Sequence, residues 1–341
     1  MSTMYDVVFY EAFKEEETAI KKYLPHDIQA KFTPQTIQDS KDKAPLAGLI
    51  SIRTQSRVPV SWVNKMKGLL SRSQGYDHVE TVFKKSKTKI PCGYLKDYCA
   101  RAVAEHAVMA MMVLLRKLKQ QMKSFDTFQR DHLTGFECLN RRALVVGVGE
   151  IGSEIVDIAL GLKMLVKGVD IAPHFKGVTY VSIQQGIAWA DVVFCALPLT
   201  ELTKGLLNYQ LLNKAKPGMV LINISRGEIS PDGDLKILLD KGLLGAVSLD
   251  VYSQESLLAD YLRGKRKMTS KTIRRVLELK NHENVLFTPH NAFNTYEAVD
   301  RKASLSVDAV VSFLVKGIFP NQVSRETNPR KCVQRKEEEA C

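Results

Sequence analysis

The stretch Ala143-Leu-Val-Val-Gly147-Val-Gly149-Glu-Ile-Gly152 decides the fold. A short β-branched apolar run leads into glycines spaced Gly-x-Gly-x-x-Gly, and a helical pattern follows, which is the context in which that spacing carries meaning. Glycines there allow a tight turn, close approach of a pyrophosphate to backbone N–H groups, and an anion at the positive end of the helix dipole. Asp170 ends the next apolar run, where a carboxylate accepts from a ribose 2′-hydroxyl and repels a 2′-phosphate, so NAD is expected rather than NADP. Glu150 puts a negative charge beside the expected pyrophosphate, and its side chain is expected to point away. The plainer alternative is an ordinary strand-to-helix turn.

Working outward, the same rhythm repeats in Leu165 to Asp170, Val192 to Leu197, Val220 to Ser225, Ala246 to Val251 and Val285 to Pro289, with a shorter run at Val178 to Val181. Near-continuous apolar runs are what strands buried on both faces look like, and alternation with helical stretches predicts a parallel sheet. Ser230 is expected to cap a helix whose first residue is Pro231. Upstream, Tyr5 to Tyr10, Leu46 to Ile52 and Gly68 to Leu70 show a weaker α/β rhythm. Residues 102–118 and Tyr296 to Val315 read as long helices. The expected fold is α/β: a doubly wound, parallel-sheet (Rossmann) dinucleotide domain over 102–297, and a smaller flavodoxin-like α/β substrate domain from 1–101 and 298–323, with a cleft between them. The charged end, 324–341, reads as a tail.

The chain has 341 residues, a length that suggests about two domains at roughly 100 to 200 residues each. With 45% hydrophobic and 25% charged residues, it is neither disordered, collagen-like nor a disulfide scaffold. The run Ala107 to Leu115 is far short of the roughly 20 apolar residues of a membrane span, and the N-terminus lacks a basic region followed by an apolar one. A cytoplasmic protein with no membrane partner is expected. Cysteines 92, 99, 138, 195, 332 and 341 fall in no paired ligand spacing, so reduced thiols and no metal are expected. The formal charge of +12 is diffuse, and its clusters, Lys84 to Lys89 and Arg263 to Lys267, have no stacking aromatics between them. A solvated surface is therefore expected, and no nucleic acid.

Three further segments resemble a known family. Lys216-Pro-Gly-Met-Val-Leu-Ile-Asn-Ile-Ser-Arg226-Gly227, then Gly245-Ala-Val-Ser-Leu-Asp250-Val-Tyr-Ser-Gln-Glu255, then Thr288-Pro-His290 are similar to the arginine, glutamate and histidine segments of the NAD-dependent D-isomer-specific 2-hydroxyacid dehydrogenases, in the same order. The likeness runs over about residues 40–323. A long segment between Glu255 and His290, together with His290-Asn-Ala-Phe293, looks most like the D-lactate dehydrogenase branch, and Arg72-Ser-Gln-Gly75-Tyr-Asp77 and Tyr98-Cys-Ala-Arg-Ala-Val-Ala-Glu105-His106 also match. The resemblance implies cofactor contacts from Gly147, Gly149, Glu150, Ile151, Gly152, Asp170, Leu197, Pro198, Thr203, Ile224, Ser225, Arg226, Asp250 and His290. It implies substrate contacts from Gln74, Gly75, Tyr98, Arg226, His290 and Phe293, and a homodimer through the NAD-binding domains.

The chemistry of the three segments also stands by itself. Arg226, Glu255 and His290 each lie at or just past the C-terminal end of a predicted strand, the edge where open α/β sheets bind ligands. A planar guanidinium at Arg226 grips the carboxylate and adjacent carbonyl of a 2-keto acid in a fixed fork. Hydride arriving at the carbonyl carbon develops charge on oxygen, and His290 is a proton donor suited to that step, oriented by Glu255. Taken singly, each is also readable as a surface cation, an exposed carboxylate or a turn histidine. The other histidines read as structural or surface, His106 as a helix partner. Pyruvate and D-lactate are the expected pair; the alternatives are another 2-keto acid (glyoxylate, hydroxypyruvate, branched or aromatic), a phosphite-type dehydrogenase, or a non-enzymatic NAD sensor similar to the C-terminal-binding-protein corepressors. Against the family pattern, Glu150 replaces a basic residue, Ser230-Pro231 an Asp, and Ser256 to His282 is strongly basic.

Overall fold

The computed structural model describes residues 4–323 except 80, 81, 83–85, 87–89, 266, 268 and 269. The expected tail at 324–341, most of Lys84 to Lys89, and Arg266 lie outside the described residues. The chain forms two compact units. One spans residues 100–293, and the other combines residues up to 99 with those from 294 onward.

The first unit holds β1 (Tyr5–Phe9), β2 (Ala30–Phe32), β3 (Ala47–Ile52), β4 (Gly68–Ser71) and β5 (Cys92–Tyr94), all parallel, in the order β2-β1-β3-β4-β5. That is the flavodoxin-like order. Its helix Tyr296–Lys316 returns to pack on helix Lys14–Tyr23 and lays Phe313 over β4, where a Cβ on Gly68 would meet the Phe313 ring at 2.3 Å. Thr295 caps this helix by accepting from Ala298 N–H, and Gly317 ends it at φ +73, a conformation that favours glycine.

The second unit holds β6 (Arg142–Val146), β7 (Leu165–Val169), β8 (Thr179–Tyr180), β9 (Val192–Cys195), β10 (Met219–Asn223), β11 (Leu244–Leu249) and β12 (Val285–Phe287), again all parallel, in the order β12-β11-β10-β9-β6-β7-β8. This is the doubly wound Rossmann order, with the strand sequence reversing beside β6. Every residue of β9 and β10 is buried, which explains their unbroken apolar runs. Burying each such Val, Leu or Ile contributes about 1.5–3 kcal/mol, whereas an exposed pair such as Lys236–Asp240 contributes only about 0.3–0.5 kcal/mol. The buried sheet, not surface charge, therefore fixes the register.

That register lines up the site. Val169, Val146, Cys195, Asn223, Leu249 and Phe287 are successive partners across β7, β6, β9, β10, β11 and β12. The residues one step beyond this row are Asp170, Gly147, Ala196, Ile224, Asp250 and Thr288, so the sheet's C-terminal edge gathers segments far apart in sequence. Two local expectations are corrected. The helix expected over 102–118 spans Ala100–Leu115, and a separate helix, Leu118–Ser124, follows after Lys117 turns the backbone at φ +51. The helix expected to start at Pro231 with a Ser230 cap spans Asp232–Asp240, with Pro231 as the residue before it. The Ser230 hydroxyl is occupied elsewhere, accepting from Asn223 Nδ2 at 2.8 Å.

Candidate active site

The three glycines between β6 and helix Glu150–Gly161 have three different physical reasons to be glycine. Gly147 sits at φ +92, and a Cβ there would meet the Ala196 carbonyl oxygen at 2.7 Å. Gly152 lies against the turn itself, its Cβ position 1.9 Å from the Gly147 carbonyl oxygen, so the helix closes tightly on the strand. Gly149, by contrast, has nothing within 4 Å of its Cβ position. It precedes the helix and supplies no side-chain cap, so the first-turn N–H groups, those of Ile151 and Gly152 among them, have no side-chain partner from that position. An open backbone face at an uncapped helix start fits a pyrophosphate. Glu150 is exposed at the helix's first position.

Asp170 is tied into this turn. Its Oδ2 accepts from Val148 N–H at 2.7 Å and its Oδ1 from Ala172 N–H at 2.9 Å. A carboxylate has about four lone-pair positions, which leaves capacity for a ribose hydroxyl. Past β9, Leu197 is half-buried and Pro198 accepts from Thr203 Oγ1 at 2.6 Å, folding the 198–203 turn over the same sheet edge. Past β10, Ile224 and Ser225 are buried, and Ser225 Oγ donates to the Cys195 carbonyl at 2.7 Å.

Arg226 follows, half-buried, with one guanidinium nitrogen donating to the Ser225 carbonyl at 2.8 Å and its own carbonyl accepting from Asn223 Nδ2 at 3.0 Å. A Cβ on Gly227 would stand 2.1 Å from Ser253 N and Tyr252 C. The arginine loop thus rests directly on the loop that leads to Glu255. His290 lies in the turn after β12 at φ +53, and Gln254, just before Glu255, at φ +56. Left-handed non-glycine residues cluster at functional sites, where neighbours must hold them in place. The two turns bring His290 Nδ1 to 2.7 Å from Glu255 Oε1. A carboxylate accepts, so Nδ1–H is the donor and Nε2 is left as the outer nitrogen of the ring.

Asp250 holds the histidine turn. Buried to 2% exposure, it accepts from Thr288 Oγ1 at 2.6 Å and from the N–H groups of Asn291 and Ala292, both at 2.9 Å. Thr288 Oγ1 spends its single proton on Asp250, so His106 Nε2, 3.1 Å away, must be the donor to Thr288. His106 Nε2 is also 3.9 Å from Asp250 Oδ1. His106, expected as a structural helix partner, and Thr288 both belong to the mounting of His290. The Thr288-Pro289-His290 spacing was the only sequence signal for Thr288.

The remaining expected residues lie elsewhere. Phe293, half-buried, ends the second unit. In the first unit, Gln74 and Gly75 are half-buried on the loop after β4, where Ser73 Oγ donates to the Gly75 carbonyl at 2.8 Å. Tyr98 is buried in the same unit, and burial pushes its phenol well above the usual tyrosine range.

The model of the D-isomer specific 2-hydroxyacid dehydrogenase NAD binding domain matches residues 107–292. The chain belongs to this family. It is an NAD-dependent oxidoreductase of the D-2-hydroxyacid dehydrogenase type, and the matched residues include the glycine turn, the helix start and Asp170 described above. It is 27% identical over 261 residues, 73% of this chain and 76% of the relative, to a D-lactate dehydrogenase of Treponema pallidum. To D-3-phosphoglycerate dehydrogenase 2, chloroplastic, of Arabidopsis thaliana it is 29% identical over 290 residues, 81% of this chain but only 43% of the plant protein's length. A solved D-lactate dehydrogenase of Aquifex aeolicus, complexed with NAD and lactic acid, shares the fold at a TM-score of 0.79 and 24% identity, over 94% of this chain and all of that one.

Proposed function

We infer that the protein interconverts pyruvate and D-lactate, and the observation that carries this reading is the His290–Glu255 pair at 2.7 Å on the sheet edge that also bears Arg226. Bound NADH supplies the hydride received by the keto carbon. Arg226 holds the carboxylate and the carbonyl in its fork, and polarises the carbonyl toward attack. His290 Nε2–H delivers the proton to the resulting alkoxide, so the product is a neutral hydroxyl beside the carboxylate, and Glu255 steadies the imidazolium from Nδ1. Backbone N–H groups at Gln74 and Gly75 are assigned to the substrate carboxylate and the Tyr98 hydroxyl to a donated hydrogen bond. The bulk of Phe293 favours a short side chain.

The test is NADH oxidation by the purified protein with pyruvate, 2-ketobutyrate, phenylpyruvate, hydroxypyruvate, glyoxylate and oxaloacetate, repeated with NADPH. Pyruvate should give the highest kcat/KM, with NADH only and with D-lactate as product. Because one methylene in an apolar pocket is worth about 1–3 kcal/mol, 2-ketobutyrate should follow within roughly 10- to 200-fold. A clear preference for another acid would keep the mechanism and overturn the substrate.

We also place the protein in the cytoplasm, as a homodimer. No helix among the described residues is long and apolar enough to cross a membrane. The dimer rests on an apolar face along helices Ala100–Leu115 and Leu118–Ser124 and the turn after them, where Met109, Met112, Met122, Phe125 and Phe128 are exposed, the last three by 69–73%. Such a patch marks an interaction surface. The double variant Met112→Glu, Phe125→Glu should sediment as a monomer where the parent sediments as a dimer; a parent that is itself monomeric would remove the proposal.

A further inference from the structure

Helix Lys14–Tyr23 opens with three consecutive acids, Glu15, Glu16 and Glu17, and Glu16 alone is fully buried. Its Oε1 accepts from Arg72 Nε at 3.1 Å and pairs with Lys302 Nζ at 2.7 Å. Both cations are buried to 1% exposure or less. Arg72 is fixed further by donating to Ser51 Oγ at 3.0 Å and to the Tyr10 carbonyl at 2.7 Å. The cluster therefore sets one carboxylate against two buried cations, and Arg53, at the end of β3, adds its field to both Glu16 and Lys302. Stability gives little reason for this arrangement, since apolar residues of similar volume commonly do as well as a buried ion cluster or better. A buried charge excess in a ligand-binding unit points instead to a functional group.

The group next to it is Tyr98. Lys302 Nζ lies 5.9 Å from the centroid of the Tyr98 ring, within reach of a cation–π contact. Arg301, the preceding residue, donates its Nε–H to the Tyr98 carbonyl at 2.9 Å. Two successive residues of helix Tyr296–Lys316 thus hold the ring and the backbone of one tyrosine. We propose that Lys302 is a positioning residue for substrate binding: as a cation anchored on Glu16, it holds the Tyr98 ring in the orientation from which its hydroxyl meets the keto acid. This rests on the assignment of Tyr98 to the substrate.

The charged and titratable groups facing Lys302 are Glu16, Arg53, Arg72, Tyr98 and Cys99, with Arg301 beside it on its own helix. Burial pushes the Lys302 ammonium down to about 7; Glu16 pulls it back up, and Arg53 and Arg72 press it lower. Burial also raises the Glu16 carboxyl, but Arg72 and Lys302 outweigh this and hold it below the usual carboxylate range. Lys302 is then a cation below about pH 7 and neutral above it. Its neutral form loses the ring contact, while Tyr98 itself stays protonated throughout. Substrate binding should weaken as the pH rises through that point.

The experiment measures KM and kcat with NADH and the best keto acid of the panel between about pH 6 and pH 9, for the parent, Lys302→Met and Tyr98→Phe, with NADH affinity measured alongside. The parent's KM should rise by up to about thirtyfold across the range, the value of a desolvated cation–π contact. K302M should show that raised KM already at low pH and stay flat, with kcat within about threefold and NADH affinity unchanged. The variant leaves Glu16 paired one to one with Arg72, so no uncompensated charge is created. A parent KM that is flat with pH overturns the proposal without needing any substitution to fold. So does a K302M enzyme that keeps the parent's KM and its pH dependence. If Tyr98→Phe leaves KM unchanged, the assignment of Tyr98 fails and the proposal with it; if Tyr98→Phe raises KM and K302M does not, Lys302 alone is wrong.

Discussion

His290→Ala is expected to lower kcat by roughly 100- to 10,000-fold, the range in which a positioned general acid contributes, while NADH binds as before. The reasoning starts from how the ring is held. Nδ1 is engaged by Glu255 at 2.7 Å, the backbone at φ +53 is fixed by the Asn291 and Ala292 N–H bonds to Asp250, and only Nε2 is left to serve the substrate. Alanine removes the donor and leaves its mounting, so binding and chemistry should separate. A rival donor on the same mounting is His106, whose Nε2–H is already given to Thr288. It has no second proton on that side to offer. Stopped-flow mixing of the NADH complex with keto acid reads the chemical step directly, and NADH fluorescence titration reads binding. Near-normal turnover in the variant would mean that the proton comes from elsewhere and that the assignment is wrong.

The reasons this site was legible in the sequence are local. Gly147 and Gly152 occupy positions where a Cβ collides with backbone, and β9 and β10 are buried on both faces, so a fixed spacing and unbroken apolar runs had to appear in the chain. Strands β2 and β5 escaped notice for the opposite reason. Each is three residues long and lies at an edge of its sheet, with a lysine or a glycine at its centre. Ser230 has two possible uses, a helix cap or a partner for a buried amide, and Asn223, seven residues back, takes the hydroxyl. Long-range polar partners carried no signal at all. His106 meets Thr288 across 182 positions, and although Glu16 shares a helix face with Ile20 and Tyr23, four and seven residues on, its cationic partners come from Arg72 and from helix Tyr296–Lys316 far along the chain. Charged residues on an amphipathic helix ordinarily face water, so sequence reasoning assigns them there by default.

Arg226→Lys should reduce kcat/KM for the keto acid by roughly 100- to 1,000-fold, although charge is conserved, because lysine replaces a fork by a point. A bidentate arginine makes two charge-assisted hydrogen bonds worth about 1.5–3 kcal/mol each. Lysine can keep one of them, and about 3–4 kcal/mol of orientation and second contact is the expected loss, at about 1.4 kcal/mol per tenfold. The scaffold makes this a test of geometry rather than of folding. Arg226 donates to its neighbour's carbonyl at 2.8 Å from a half-buried position, and Gly227, pressed against Tyr252 and Ser253, fixes the loop independently of the side chain. NADH affinity and thermal midpoint should therefore change little. The loss should fall on both parameters: on KM, because the carboxylate grip is weakened, and on kcat, because the carbonyl is no longer aligned with the donors around it. Arg226→Ala should be worse still, and exogenous guanidinium should restore part of its activity while methylammonium does not. Equal rescue by both cations would show that charge alone is needed, and the fork reading of Arg226 would be abandoned.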